Sequence, residues 1–391
     1  LFTINKTGTV TIGGGANTGT LNLGGDMKID GGVLNKASAG SVVDFAAGKT
    51  ITIQNGGRLT IAGPGVAETN QIFNVSGTNS KIESTGTGGF SIGTGAQVNL
   101  SAAATMTVAG SIHIANGAGA GTLAVGGEGA TLTAGNELSL WGSNGGVASV
   151  SLSNKAVATL NTGIDLANSA IAGTSATVNV LSAAVLNTGN LNLAATGGAT
   201  TSATLIINGT NSAVTQAGAA TLTVGHASEG SAVINIGTAN DGGALTTGSG
   251  LFRINKTGRV TIGDGEKAGG LNVLGNILVD GGVLEQGSAK STFSWTTGKT
   301  LTIQSGGLVH FDSTYTAAPS AIHAVAGAGS KLEVAGAFQI RSASQVNVTA
   351  GAAIVADEYN VGGGGGGAGT LTVDGVGSTA TGGSGANHWG S

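Results

Sequence analysis

The carboxylates are the residues of this chain with the most direct route to chemistry, because two that face one site can cleave or eliminate a polysaccharide. Nineteen acidic residues are dispersed over 391 positions, and their densest group is Asp357-Glu358-Tyr359. Adjacent residues of a β-strand point to opposite faces, so Asp357 and Glu358 would not act on the same group. The sequence therefore predicts no catalytic residue.

The other chemical signals are weak as well. A metal site needs histidines or carboxylates at regular ligand spacing, and none is shared by His113, His226, His310, His323 and His388. The stretch Gly126-Gly-Glu-Gly129 approaches the Gly-Gly-x-Gly-x-Asp pattern of calcium-binding β-rolls, but the following Asp is missing. His113 stands between Ile112 and Ile114, so it should face outward if they face inward. The sequence predicts no metal and no cofactor.

Two tripeptides imitate the end of a phosphate-binding loop. They are Gly48-Lys-Thr50 and Gly298-Lys-Thr300, but the glycine required five positions earlier is replaced by Val43 and Phe293. Both tripeptides also lead into alternating apolar segments, where a phosphate-binding loop would open a helix. We therefore expect strands here and no nucleotide.

The elements that must position these residues are defined by two internal repeats. The long repeat spans about 250 residues, as a fixed period of this kind predicts for a solenoid or array. Its matching segments include Leu1–Gly8 with Leu251–Gly258, Asp30–Leu34 with Asp280–Leu284, and Ser80–Glu83 with Ser330–Glu333. Asp30 thereby matches Asp280, and Glu83 matches Glu333.

The short repeat has the period of β-strands. Pairs of aliphatic residues two positions apart recur at spacings of roughly 28 residues, and their first members are Leu123, Val150, Val178, Leu205 and Ile234. Two further apolar phrases follow each pair, and Gly, Asn or Ser interrupts them. The pattern predicts a right-handed parallel β-helix, an all-β fold with about three strands per rung of roughly 28 residues. We expect one continuous rod, with the first long repeat at 1–250 and a partial second at 251–391.

Composition excludes several functions. Glycine accounts for 75 residues, charged residues for 9% and aromatic residues for 3%, while 40% of the chain is hydrophobic. A net charge of −4 gives no basic surface for nucleic acid. The chain has no cysteine and no apolar run long enough for a membrane span. Abundant glycine and aliphatic residues suit the corners and narrow core of a solenoid.

One sequence phrase resembles a known family. Ala120-Gly-Thr-Leu-Ala-Val-Gly-Gly-Glu-Gly-Ala-Thr-Leu-Thr133 recurs as Ala368-Gly-Thr-Leu-Thr-Val-Asp-Gly-Val-Gly-Ser-Thr-Ala-Thr381. The second copy closely resembles the β-strand repeat of autotransporter (type V secretion) passengers and PEP-CTERM-associated exported proteins. The resemblance implies a bacterial, exported β-solenoid at the cell surface, of structural or adhesive kind. It leaves the secretion route open.

The predicted function is an extracellular structural or adhesive rod without catalysis, a section of a giant repeat-containing surface protein or filament. Two alternatives stay open: a carbohydrate-active β-helix (polysaccharide lyase or hydrolase), which needs a groove with several carboxylates, and a passive stalk displaying another domain. Its partners would be copies of itself joined end to end, or a host cell, a polysaccharide or another surface. Since Leu1 begins within a strand phrase and Ser391 ends within a repeat, we expect a longer parent chain.

Overall fold

A computed structural model describes residues 1–115, 119–140, 146–167, 173–194, 200–362 and 368–388. The regular elements in these ranges are all β-strands. None of the described segments forms a helix of the length and hydropathy that a membrane span requires. The chain divides into two compact units, and the change from the first to the second falls between residues 191 and 215. The long-repeat boundary near residue 250 lies within the second unit.

The strands are short, as the breaks in the apolar phrases predicted. The first twenty-four are β1 Phe2–Asn5, β2 Thr9–Ile12, β3 Thr20–Leu23, β4 Met27–Asp30, β5 Val33–Lys36, β6 Val42–Phe45, β7 Thr50–Gln54, β8 Arg58–Ile61, β9 Gly65–Ala67, β10 Ile72–Ser76, β11 Lys81–Ser84, β12 Phe90–Ile92, β13 Gln97–Ser101, β14 Thr105–Val108, β15 Ile112–Ile114, β16 Ala120–Gly126, β17 Thr131–Ala134, β18 Glu137–Leu140, β19 Val147–Ser153, β20 Val157–Leu166, β21 Ser175–Leu181, β22 Val185–Leu193, β23 Ser202–Asn208 and β24 Ala213–Gln216. The remainder are β25 Leu222–Val224, β26 Ser231–Ile236, β27 Ala244–Thr246, β28 Phe252–Asn255, β29 Gly258–Ile262, β30 Gly270–Val273, β31 Ile277–Asp280, β32 Val283–Gln286, β33 Thr292–Trp295, β34 Thr300–Gln304, β35 Leu308–Phe311, β36 Tyr315–Thr316, β37 Ile322–Ala326, β38 Lys331–Ile340, β39 Gln345–Thr349, β40 Ala353–Val361, β41 Thr370–Val373 and β42 Thr379–His388.

In the first unit each turn of the coil contributes strands to three parallel stacks. One stack runs β1, β4, β7, β10, β13, β16, β19, β21. A second runs β2, β5, β8, β11, β14, β17 and the start of β20. The third side holds a separate pair, β3 with β6, and then β9, β12, β15, β18 and the end of β20. Three parallel strands per turn define a β-solenoid.

The second unit repeats this arrangement. One of its stacks runs β28, β31, β34, β37, β39, β41, and another runs β26, β29, β32, β35, β38, β40, β42. A short stack holds β27, β30 and β33, while β36 pairs with the end of β38. Asn5 pairs with Asp30 in the first unit as Asn255 pairs with Asp280 in the second. The two copies of the long repeat therefore share one local register.

The predicted all-β parallel β-helix is confirmed, and its turn length needs correction. Stacked strands lie about 25 residues apart over about 14 turns. The predicted 28 residues separate Val150 from its partner Val178, but 22 separate Ile51 from Phe73. The prediction was drawn from the middle of the chain, where corners are longer. The right hand of the coil stays a prediction.

The core is the narrow space that the stacks enclose. Burial alternates along most strands, as in β7 and β21, because successive side chains point in and out. Leu123, Val150 and Val178 pair in sequence and are fully buried, and Leu205 and Ile234 are buried too. Full burial of an aliphatic side chain contributes about 1.5–3 kcal/mol, so each turn adds its own share of stability.

The corners contain left-handed backbone. Asn55 and Asn154 adopt φ values of 54° and 53°, as expected for asparagine at a tight turn. Lys155 and Ala183 also adopt positive φ, at 64° and 65°. A residue with a Cβ is strained in this region, so corner geometry here is imposed by the stacking of the turns on either side.

Candidate functional site

The acidic residues shared by the two copies are held by their own neighbours. Asp30 contacts the Lys28 ammonium group at 2.9 Å and accepts a hydrogen bond from Asn55 Nδ2 at 2.5 Å. Lys28 and Asn55 lower the pKa of Asp30. Asp280 contacts the Arg253 guanidinium at 2.8 Å. Hydrogen bonding, first from Ser305 and then from Gln304 and Arg253, lowers the pKa of Asp280. Neither carboxyl is poised to donate a proton near neutral pH.

The second pair of shared acids, Glu83 and Glu333, is also held in ion pairs with lysines. Lys81 Nζ lies 2.6 Å from Glu83 Oε2, and Lys331 forms the same ion pair with Glu333. Each lysine is the main cause of a lowered pKa at its glutamate. Asp30 belongs to β4 and Glu83 to β11, which lie in different stacks of the first unit. The shared acids therefore do not meet in one site.

One column of charged residues was not foreseen from sequence. In the second unit, Glu285 pairs with His310, and His310 pairs with Glu333, on successive strands. His310 Nδ1 lies 3.4 Å from Glu333 Oε2, and Arg259 forms an ion pair with Glu285. The two carboxylates are two strand spacings apart, about 9.6 Å. Only knowledge of the turn lengths could have placed them together.

The backbone separation of Glu285 and Glu333 is near the upper end of the carboxyl separations in inverting glycosidases, but Glu333 lacks the raised pKa that a general acid needs. An inverting enzyme needs one carboxyl with a raised pKa to protonate the leaving group. Here Lys331 lowers the pKa of Glu333, and Arg259 holds Glu285 as a carboxylate partner. The arrangement suits binding of polar groups better than proton transfer.

The structure also places the residues for which the sequence predicted no catalytic, nucleotide-binding or metal-binding role. Ile112 and Ile114 are buried, which directs His113 outward as predicted. Thr50 and Thr300 open strands rather than helices, so neither tripeptide forms a phosphate-binding loop. Asp357 and Glu358 do not follow the expected alternation, because the ladder shifts register between Ala356 and Glu358 and neither acid is buried, whereas the flanking Ala356 and Tyr359 are. Across the described ranges, no three His, Asp or Glu side chains group as metal ligands would.

His323, in contrast, lies inside the coil. It is fully buried, and a hydrogen bond of 3.0 Å joins its Nε2 atom to the Tyr315 hydroxyl. The rings of Trp295 and Phe338 lie 5.4 and 5.8 Å from its centroid, and Tyr315 stacks on Phe311 at 4.0 Å. Burial lowers the pKa of His323 to about 4 and raises that of Tyr315. The histidine is therefore neutral at physiological pH.

This aromatic cluster lies at a break in one stack, and the same break occurs in each copy. Residues 42–67 are all described, yet no ladder pairing joins β6 to β9; we call this gap the first break. The strands converge again where Gly48 N donates to Thr69 O. Residues 292–316 show the corresponding second break between β33 and β36, which closes where Gly298 N donates to Pro319 O.

The chain is thus defined by its fold as a parallel β-solenoid protein with two equivalent breaks. No protein-family model and no curated protein matches its sequence. Among solved structures, the crystal structure of a TibC-catalysed hyper-glycosylated TibA fragment aligns with 97% of this chain and 100% of that one. Sequence identity is 13% and the TM-score is 0.31.

Proposed function

We propose that this chain is a section of an extracellular structural or adhesive protein that acts by contact and without catalysis. The observation that carries the proposal is the charge arrangement: the shared carboxylates are ion-paired on outward faces of a solenoid with an apolar core. The phrase Ala368–Thr381, which resembles autotransporter passenger repeats, supports an exported location. Surface contact with a polysaccharide, a host cell or another copy of the chain is the expected mode of action.

The mechanism of such a protein is mechanical. Each turn is bonded to its neighbours by ladder hydrogen bonds, so turns can be added without enlarging the core. Outward side chains such as Asn74 and Asn99, whose amides are hydrogen-bonded at 2.9 Å, present a polar surface along a stack. Ordered polar columns of this kind suit weak, repeated contacts along an extended partner.

The test is turnover of acidic polysaccharides. Purified protein incubated with pectin or alginate should release no new reducing ends or unsaturated products, because Lys331 and Arg259 hold the carboxylates of the Glu285–Glu333 column in ion pairs. Glu333→Gln serves as the matched variant. Cleavage that disappears in the Glu333→Gln protein would contradict the proposal and favour the carbohydrate-active alternative.

A further inference from the structure

The first break opens a pocket of about 180 Å³ into the core. Polar and apolar surface contribute about equally to its wall, and Phe45, Leu59 and Phe73 are among the apolar side chains. Gln71 crosses the gap, since its Nε2 donates to the Phe45 carbonyl and its Oε1 accepts from Glu68 N at 2.8 Å. This one side chain replaces the missing ladder bonds and leaves the space beside it unfilled.

Lys36 is the unusual residue of this pocket. It is the last residue of β5, faces inward and is only 9% exposed. Its neighbours in the stack are Ile12 and Ile61. Within the described structure no carboxylate lies within ion-pairing distance of its ammonium group, and burial lowers its pKa. A buried cation without a partner is costly, so the position of Lys36 at the pocket favours an anionic ligand.

The second copy also has a pocket at its break, of about 280 Å³ and lined by Phe293, Trp295 and Tyr315, but no lysine stands at the position of Lys36. Gln286 replaces Lys36, and its side-chain Nε2 donates a hydrogen bond to Ser291 O at 2.7 Å. Tyr315 replaces Gly65, where an added Cβ would lie 2.4 Å from the Phe90 ring. Tyr315 lines the second break, whereas in the first copy the buried Phe90 ring takes the space beside Gly65. The pocket of the first break, at about 180 Å³, is large enough for one aromatic ring.

From this contrast we propose that the first break is a binding site for a small aromatic monocarboxylate. The ring would lie against Phe45 and Phe73, and the carboxylate would pair with Lys36. Asp44 and Glu68 line the same pocket and are exposed. Their charges repel polyanions, so phosphates and polyuronates are poor ligands. Val42 and Val66, each 46% exposed, would add apolar contact to the ring of the ligand.

The experiment is calorimetric titration of the whole chain with phenylacetate and with its neutral analogue phenylacetamide. The unaltered protein should bind phenylacetate at least about tenfold more tightly, because a charge-assisted hydrogen bond distinguishes the two ligands. This comparison requires no variant. Equal binding of both ligands, or no binding at millimolar concentration, would overturn the proposal.

Two variants locate the site. Lys36→Gln carries the residue of the second copy and should melt normally while losing about tenfold or more in phenylacetate affinity. Lys6→Gln removes the same charge at an exposed position and should bind as the unaltered chain does. Phenylacetate affinity that survives in Lys36→Gln, or that falls equally in Lys6→Gln, would place binding elsewhere.

Discussion

Val178 shows what a single residue contributes to this fold. Its side chain is fully buried, and Val178 pairs with Val150 on the preceding turn. Lys155, at a corner nearby in sequence, reaches outward to Glu128 at 2.8 Å, and both side chains are mostly exposed. Position in the turn, more than residue type, decides how much a substitution costs.

Replacing Val178 with Asp should destabilise the protein by several kcal/mol, because a carboxylate in the apolar core has no partner. Lys155→Ala should change the melting temperature little, since exposed ion pairs contribute little. Circular dichroism melting and limited proteolysis measure both effects. Equal tolerance of the two substitutions would contradict the inward position of Val178.

The sequence predicted residue orientation well where strands alternate regularly, but not at the register shift beside Asp357, and it predicted residue neighbourhood poorly. Alternation of apolar and polar positions is local, so the inward side of Leu123 and the outward side of His113 could be derived directly. The column Glu285–His310–Glu333 depends on which residues lie one turn apart. Turn lengths range from 21 residues at Phe338–Tyr359 to 30 at Leu222–Phe252, and no local pattern specifies them.

At the scale of elements, the two breaks are the main departure from a regular coil. The first has a pocket bridged by Gln71, and the second has a pocket lined by aromatic side chains, with Tyr315 hydrogen-bonded to the buried His323. Aligning the two copies of the long repeat is enough to show that Tyr315 replaces Gly65. The meaning of this replacement depends on a missing strand pairing, which composition and period do not reveal.

The buried His323 at the second break should make the second unit sensitive to acid. The unfolded chain binds a proton at His323 below pH of about 6.5, whereas burial holds the folded pKa at about 4. Stability should therefore be full above pH 6.5 and fall as the pH drops from 6.5 to 4, by up to about 3 kcal/mol.

The control is His323→Phe, which restores the residue found at Phe73 of the first copy. This variant should show a smaller loss of stability between pH 7 and pH 5 in denaturant unfolding. The lysine-paired carboxyls, such as Glu333, have lowered pKa values and titrate below this window. Identical pH dependence in both proteins would contradict a neutral buried histidine.

At the scale of the whole molecule, the repeat allows whole turns to be removed without changing the turns that remain. Gln97 pairs in register with Thr122, so deleting residues 97–121 removes one turn and joins Ala96 to Thr122. The remaining strands keep their inward faces, and we expect a folded protein with a cooperative melting transition. Deleting residues 97–108 instead leaves a partial turn that disrupts pairing, and this variant should aggregate or melt without cooperativity. Similar melting of the two deletions would contradict stacking turn by turn.

The Gln71 bridge has a consequence for behaviour under load. Ladder hydrogen bonds run from one turn to the next, so tension along the stacking direction opens them in sequence rather than all at once. At the first break, a side-chain amide takes up force on one side while intact backbone ladders resist on the other two. Stretching would therefore open that side first and bend the coil toward the intact stacks, which makes the first break a compliant joint.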